Sequence, residues 1–335
     1  MKAFKRNITG SNVCVVGGAG FLGSHLVNHL INTRGCNVLV IDNLVSGKKA
    51  FVNPKAGFEH HDITLSEHHI FKLFKTYAID YVFNYAAQPY IPVSFERPLH
   101  VFNTNAVGAL HVINAAQEAN CKGILQVSSA EIYGECKDQS SIDESSKVCP
   151  HSSYGAAKAA IDSMVQVRYK EAGTKCIALR QFNCVGERET HPYIIPELMS
   201  QFAHTYSLTG KIQLGNNSFR DFMYAGDAVA YAVELMENGE FGEVYNLGSE
   251  SGLMIYDLAV MVGGIFGYKS AYIKESIVVD PARVRPWEIW RLCSDNTKIN
   301  NVVNYRAKTT LYEAILMTVE WWTKQNCVWP WERQK

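Results

Sequence analysis

The stretch "VVGGAGFLGSHL", Val15 to Leu26, decides how the rest of the chain is read. Four glycines, Gly17, Gly18, Gly20 and Gly23, stand between a run of branched apolar residues and an amphipathic run. Glycines in that place let a backbone turn tightly and approach a pyrophosphate, which rests on the helix N-terminus. Outward from the turn, "NVCVVG" (12–17) and "NVLVID" (37–42) read as buried strands on either side of a helix over "FLGSHLVNHLIN" (21–32). Further strands follow at "DYVFNYAA" (80–87), "GILQVSS" (123–129) and "KCIALRQFN" (175–183), with helical patterns near 99–119 and 154–171. Short β-branched runs spaced by helices predict an α/β fold with a doubly wound parallel sheet of the Rossmann type. Asp42 ends the second strand, at the expected distance to bind a ribose 2′-hydroxyl. A carboxylate there accepts from the free hydroxyls of NAD and repels the extra phosphate of NADP. A turn or capping aspartate is the alternative, and Lys48 and Lys49 nearby keep NADP in play. Asp62, in "HHDIT", is placed to touch the adenine or to cap the next helix.

Beyond residue 186 the pattern loosens. Helices are expected at "IIPELMSQFAHTY" (194–206), "AGDAVAYAVELMEN" (225–238), "MIYDLAVMVGGIF" (254–266) and "TLYEAILMTVEWWTK" (310–324), with short strands at "KIQLG" (211–215) and "EVYNLG" (243–248). Residues 1–186 are therefore expected to form the dinucleotide-binding domain, with 223–245 returning to it. Residues 187–335 form a smaller C-terminal α/β substrate domain, and the cleft between the two is the default ligand site. Lys plus Arg and Asp plus Glu both number 32 in the 335 residues, so no basic field favours nucleic acid or a membrane surface. No secretory apolar run or spanning helix is visible. Nine cysteines are scattered singly, which reads as reduced thiols in a cytoplasmic protein. The histidine pairs at 60–61 and 68–69 read as loop and helix surface, and no metal site is expected.

Two further stretches, "SSAEIYG" (128–134) and "HSSYGAAK" (151–158), carry the chemistry. Tyr154 and Lys158 lie four apart on a helix and share a face. The lysine's charge would lower the phenol's pKa, so that a phenolate takes or returns a hydroxyl proton near neutral pH. Lys158 can also hold the nicotinamide ribose. Ser129, at the end of a parallel strand, can hydrogen-bond the same substrate oxygen. Asn183, Arg220 and Arg285 are spaced polar groups in apolar surroundings, suited to two phosphates. For Arg220 the alternative is a local ion pair with Asp221. Ile212 and Leu214 could flank a base, although core strand positions are the simpler reading.

The chain resembles the extended short-chain dehydrogenase/reductases, in particular their nucleotide-sugar epimerase/dehydratase branch. The matching pieces are "GGAGFLG", Asp42, "AAQ" (86–88), "SSAEIYG", "YGAAK", "RQFNCVG" (180–186), "RDFMYAGDAV" (220–229) and "RPWEIWRLCSDNTK" (285–298), in family order over nearly the whole chain. The resemblance implies an NAD reduced and reoxidised within one turnover, a C-terminal part that grips a nucleoside diphosphate sugar, and a homodimer formed through the helices near 99–119 and 154–171. The expected cofactor contacts are Gly17, Gly20, Phe21, Leu22, Gly23, Asp42, Asn43, Asp62, Ile63, Ala86 and Lys158. The expected substrate contacts are Gln88, Asn183, Arg220 and Arg285.

Within that branch Glu131 decides between reactions. Each begins with Tyr154 removing the C4 hydroxyl proton while hydride leaves C4. A 4-epimerase returns the hydride to the other face. A 4,6-dehydratase needs a base for the C5 proton, and relatives of that kind carry a Glu at the position matching Glu131. They also place an Asp or Ser beside it to protonate the departing C6 hydroxyl, where this chain has Ala130. Decarboxylases and 4-keto-reductases can keep the Glu too, and a bystander accepting hydrogen bonds from the Tyr133 loop is the plainer alternative. The expectation is an NAD-dependent nucleotide-sugar enzyme using Ser129, Glu131, Tyr154 and Lys158, with 4,6-dehydratase ahead of 4-epimerase. A non-catalytic NAD or nucleotide-sugar binder is the third possibility, and the complete Ser129–Tyr154–Lys158 set argues against it.

Overall fold

The structure, a computed structural model, describes residues 6–136, 141–189, 192–285 and 287–325. Its strands are β1 (Asn12–Val16), β2 (Asn37–Asp42), β3 (Gly57–His60), β4 (Tyr81–Asn84), β5 (Gly123–Ser129), β6 (Cys176–Gln181), β7 (Asn183–Val185), β8 (Ile212–Leu214), β9 (Phe219–Tyr224), β10 (Val244–Leu247), β11 (Gly252–Met254), β12 (Ile277–Val279) and β13 (Arg291–Leu292). Seven of them form one parallel sheet in the order β10-β6-β5-β4-β1-β2-β3, the doubly wound Rossmann-type arrangement expected. The order reverses between β1 and β4, which opens a crevice at their carboxyl ends.

Continuous apolar runs form these strands because both faces of the sheet are covered. In β1, Val13 and Val15 point to one face, where helices Phe21–Arg34 and Ala225–Asn238 supply Leu26, Leu30, Val229 and Ala232. Cys14 and Val16 point to the other, against Val112, Ile113, Ile161 and Val165. That second layer contains helix Ser153–Ala172 and a helical stretch running from Pro98 to Glu118, with π-type turns over Asn103–Gly108. Helix Ser153–Ala172 starts where the Ser152 hydroxyl accepts from the Gly155 N–H (3.0 Å), and it stops at Gly173 with φ +63°.

The expected single strand over 175–183 divides in two. Residues Cys176–Gln181 complete the parallel sheet, Phe182 turns the chain, and Asn183–Val185 pairs with β9 in a second, four-stranded sheet of β11, β9, β13 and β7. The chain therefore crosses from one sheet to the other beside the carboxyl ends of β5 and β6. The second sheet packs with helices Ile194–Ser200, Ile255–Ile265 and Leu311–Lys324 around Leu198, Phe202, Leu258, Val262 and Trp322. Ile212 and Leu214 are buried in that core. The "EVYNLG" strand becomes β10, which pairs in parallel with β6.

Candidate active site

A cavity of about 670 Å³ runs from the β1–β4 crevice to the second sheet. At its dinucleotide end Gly17 has φ +79°, and a Cβ there would stand 2.6 Å from the Ala86 nitrogen. Only a glycine lets these two strand ends close on each other. Gly20, Phe21, Leu22 and Gly23 line the cavity at the start of the first helix, with Ala86 opposite. Asp42 is buried at the end of β2, where its carboxylate accepts from the Ala19 N–H (3.0 Å) and the Leu44 N–H (2.8 Å). Burial raises its pKa, and those two N–H groups pull it back in part. Asn43 and Ile63 also line the cavity.

Asp62 stands behind that wall. Its carboxylate accepts from Asn43 Nδ2 (2.9 Å) and from the Thr64 N–H (2.8 Å) and hydroxyl (2.7 Å). Burial works against the charge, yet these bonds outweigh it and hold the group below its ordinary value. The cap of the following helix is Ser66, accepting from the His69 N–H (3.1 Å), so the capping role considered for Asp62 falls to Ser66. Gln88 also lies off the cavity lining: its side-chain oxygen accepts from the Tyr90 N–H (2.8 Å), and its backbone is tied to the Asn105 amide.

At the centre, Ser129, Glu131, Tyr154 and Lys158 meet. The Ser129 hydroxyl accepts from the Glu131 N–H (3.2 Å), which folds "SAEI" into a tight turn and aims Glu131 into the cavity. Burial pushes the Tyr154 phenol up to about 12; a hydrogen bond with Ser129 lowers it and the Glu131 charge raises it. Lys158 is not among the groups that shift Tyr154, and burial drives the lysine's own ammonium down to about 8. Lys158 Nζ donates to the Val127 carbonyl (2.9 Å). The carboxyl of Glu131 is raised by burial and pulled back by Arg220, Arg285 and His151. Among the described residues no hydrogen bond reaches that carboxylate. The Tyr133 loop is held instead by Arg180 Nη1 (2.8 Å) and Asn246 Oδ1 (2.7 Å) on the Tyr133 hydroxyl. The bystander role therefore has no bond to support it.

Asn183, Arg220 and Arg285 line the far end. The partner of Arg220 is Glu288, with Nη2–Oε1 2.5 Å, not the neighbouring Asp221. On a strand, adjacent side chains face opposite ways. Asp221 points to the other side, accepting from the Ser249 and Ser294 N–H groups and hydroxyls. Glu288 was missed in the sequence, although "RPWE" sets it three residues after Arg285. Asn216 Nδ2 fixes it by donating to its second oxygen (3.1 Å). Glu189 and Tyr193, also on the cavity wall, lie in a loop that carries no periodic signal.

Among the described residues there is no group of His, Cys, Asp and Glu able to hold a metal ion, and no helix long and apolar enough to cross a membrane. The family model described as GDP-mannose 4,6 dehydratase matches residues 14–318. The dTDP-D-glucose 4,6-dehydratase of Mus musculus is 29% identical over 323 residues, 95% of this chain and 90% of that protein. A UDP-glucose 4-epimerase of Lacticaseibacillus casei is 31% identical over 259 residues, 72% of this chain and 77% of that one. The crystal structure of Thermus thermophilus UDP-glucose 4-epimerase in complex with NAD superposes with a TM-score of 0.83 at 27% identity, covering 93% of this chain and 99% of that one. The match to that family model over residues 14–318, with these relatives beside it, shows that the chain belongs to the GDP-mannose 4,6-dehydratase family of nucleotide-sugar dehydratases and epimerases.

Proposed function

We propose that this chain is an NAD-dependent nucleotide-sugar 4,6-dehydratase. Bound NAD would accept hydride from the sugar C4 and supply it again at C6. The cradle at Gly17, which a Cβ would fill, and the buried Asp42 carboxylate suit that cofactor, and a relative at 27% identity is solved with it. In this reading residues 1–186 with 223–245 hold the dinucleotide, the rest of 187–335 holds the sugar nucleotide, and two copies associate through the helices near 99–119 and 154–171.

The chain's own residues then divide the work. Tyr154 takes the C4 hydroxyl proton, with Ser129 bonded to the same oxygen and Lys158 on the neighbouring turn. Arg220 and Arg285, with Asn183, take the diphosphate, so Glu288 must yield Arg220 in part when the substrate enters. The 4-ketone makes the C5 proton acidic; Glu131 removes it as the C6–O bond breaks, and the departing hydroxide takes a proton from solvent and leaves as water. The observation that carries the proposal is the placement of Glu131. It faces the cavity beside Tyr154, its carboxylate free of hydrogen bonds among the described residues, and the Arg220 and Arg285 guanidiniums draw it back from the upward push of burial toward the ionised form a base needs.

A 4-epimerase is the second reading, favoured by Ala130, which leaves no acid beside Glu131, and by the epimerases among the relatives. NMR in deuterated water with NAD and a panel of nucleoside diphosphate hexoses separates the two. A 4-keto-6-deoxy product with deuterium at C5 supports elimination. Inversion at C4 without deuterium at C5 overturns it in favour of epimerisation.

A further inference from the structure

Two buried polar side chains in the cavity have no place in this chemistry. Glu189 is 5% exposed, and its Oε2 is shut off from solvent with no hydrogen-bond partner among the described residues. Burial raises its carboxyl well above the ordinary range. Tyr193, at the entrance to helix Ile194–Ser200, likewise has a buried hydroxyl without a partner among the described residues. Its ring meets that of Tyr90 edge-on, with centroids 5.9 Å apart. Tyr193 lies within electrostatic reach of Tyr154 and Arg285 as well as Glu189. It therefore lies near both the reacting group and the diphosphate end, with Glu189 also close by.

We propose that Glu189 and Tyr193 form a hydroxyl-recognition subsite for the sugar ring, next to the carbon that reacts at Tyr154. Buried donors and acceptors are paired in nearly all folded proteins, and an orphan costs about 1–3 kcal/mol. Both residues line the cavity, and the partner assigned to their orphan atoms is a ligand that enters it. A carboxyl accepts in either protonation state and a phenol both donates and accepts, which suits the two-way bonding of a sugar hydroxyl. The anionic diphosphate already has Arg220 and Arg285 and would not choose a site without a cation. Sites that hydrogen-bond a hydroxyl discriminate strongly against ligands that lack it, because the site's own groups are left unpaired.

This assignment rests on the nucleotide-sugar reading. Calorimetric titration of the NAD-loaded protein with UDP, dTDP and GDP, and with UDP-glucose, dTDP-glucose and GDP-mannose, tests it. The measured quantity is the gain in affinity of each conjugate over its bare nucleotide. Tyr193→Phe and Glu189→Leu should each reduce that gain by about tenfold while leaving the bare-nucleotide Kd within about twofold. Glu189→Gln, whose amide still donates and accepts, should retain part of the gain. An unchanged gain in both Tyr193→Phe and Glu189→Leu overturns the subsite, as does an equal loss of bare-nucleotide affinity. If the unmutated protein binds none of the six compounds, the nucleotide-sugar reading itself fails.

Discussion

Replacing Lys158 with methionine should stabilise the nucleotide-free protein by about 3 kcal/mol near neutral pH while abolishing turnover. Lys158 is 3% exposed, and burial takes its pKa from 10.5 to about 8. At 1.36 kcal/mol per pH unit, that drop is the cost of holding the ammonium in the cavity. Methionine keeps much of the apolar stem and removes the charge. The Val127 carbonyl is not orphaned, because Gln126 Nε2 also donates to it (3.0 Å). The pH dependence has a definite sign. The unfolded lysine keeps its proton up to about pH 10.5 and the folded one only to about pH 8, so unfolding takes up a proton between those values and the native protein gains stability there as pH rises. The advantage of the variant is therefore full below about pH 8 and narrows above it. Urea unfolding of both proteins at about pH 7 and about pH 9.5 measures it. A variant no more stable than the parent at neutral pH, or a gap that fails to narrow at the higher pH, refutes the reasoning.

Tyr154→Phe should lower turnover by roughly 10²–10⁴-fold while leaving the Kd for nucleotide sugar within a few-fold, read by steady-state kinetics and calorimetry. Asp162→Asn should destabilise by about 3–5 kcal/mol in thermal unfolding, because it leaves the buried Arg180 without a counter-charge and turns one of its two acceptors, at 2.8 and 3.1 Å, into a donor. Gly17→Ala should cost about 1–3 kcal/mol through its positive φ alone, with weakened NAD binding in fluorescence titration as the strand ends are forced apart.

The parallel sheet was legible because its strands are buried on both faces and therefore appear as unbroken apolar runs. The glycine turn was legible because steric demand leaves no other residue at Gly17. The second sheet was not, because β7, β11 and β13 are two or three residues long and give no period to detect. The break inside 175–183 escaped notice for a related reason: Phe182 is as apolar as the strand before it, and only its tertiary setting turns the chain. In the site, Tyr154, Lys158, Ser129 and Glu131 could be named because helix spacing and strand ends fix their positions locally. Gln88 and Asp62 hydrogen-bond to nearby loop groups in the structure, and sequence does not reveal such pairings. Glu288 and the orphan pair Glu189 and Tyr193 depend on how loops distant in sequence close over the cavity.

The parallel sheet ends in a strand that the chain reaches only after starting on the other half. During synthesis, β6 emerges with one edge bare, and it stays so until residues 244–247 leave the ribosome and pair with it. The same delay leaves the face of the first helix uncovered until Ala225–Asn238 arrives. A nascent chain of some sixty residues beyond β6 therefore carries an unpaired strand edge and bare apolar surface, the features that recruit aggregation or a chaperone. A fragment ending near residue 186 would carry them permanently.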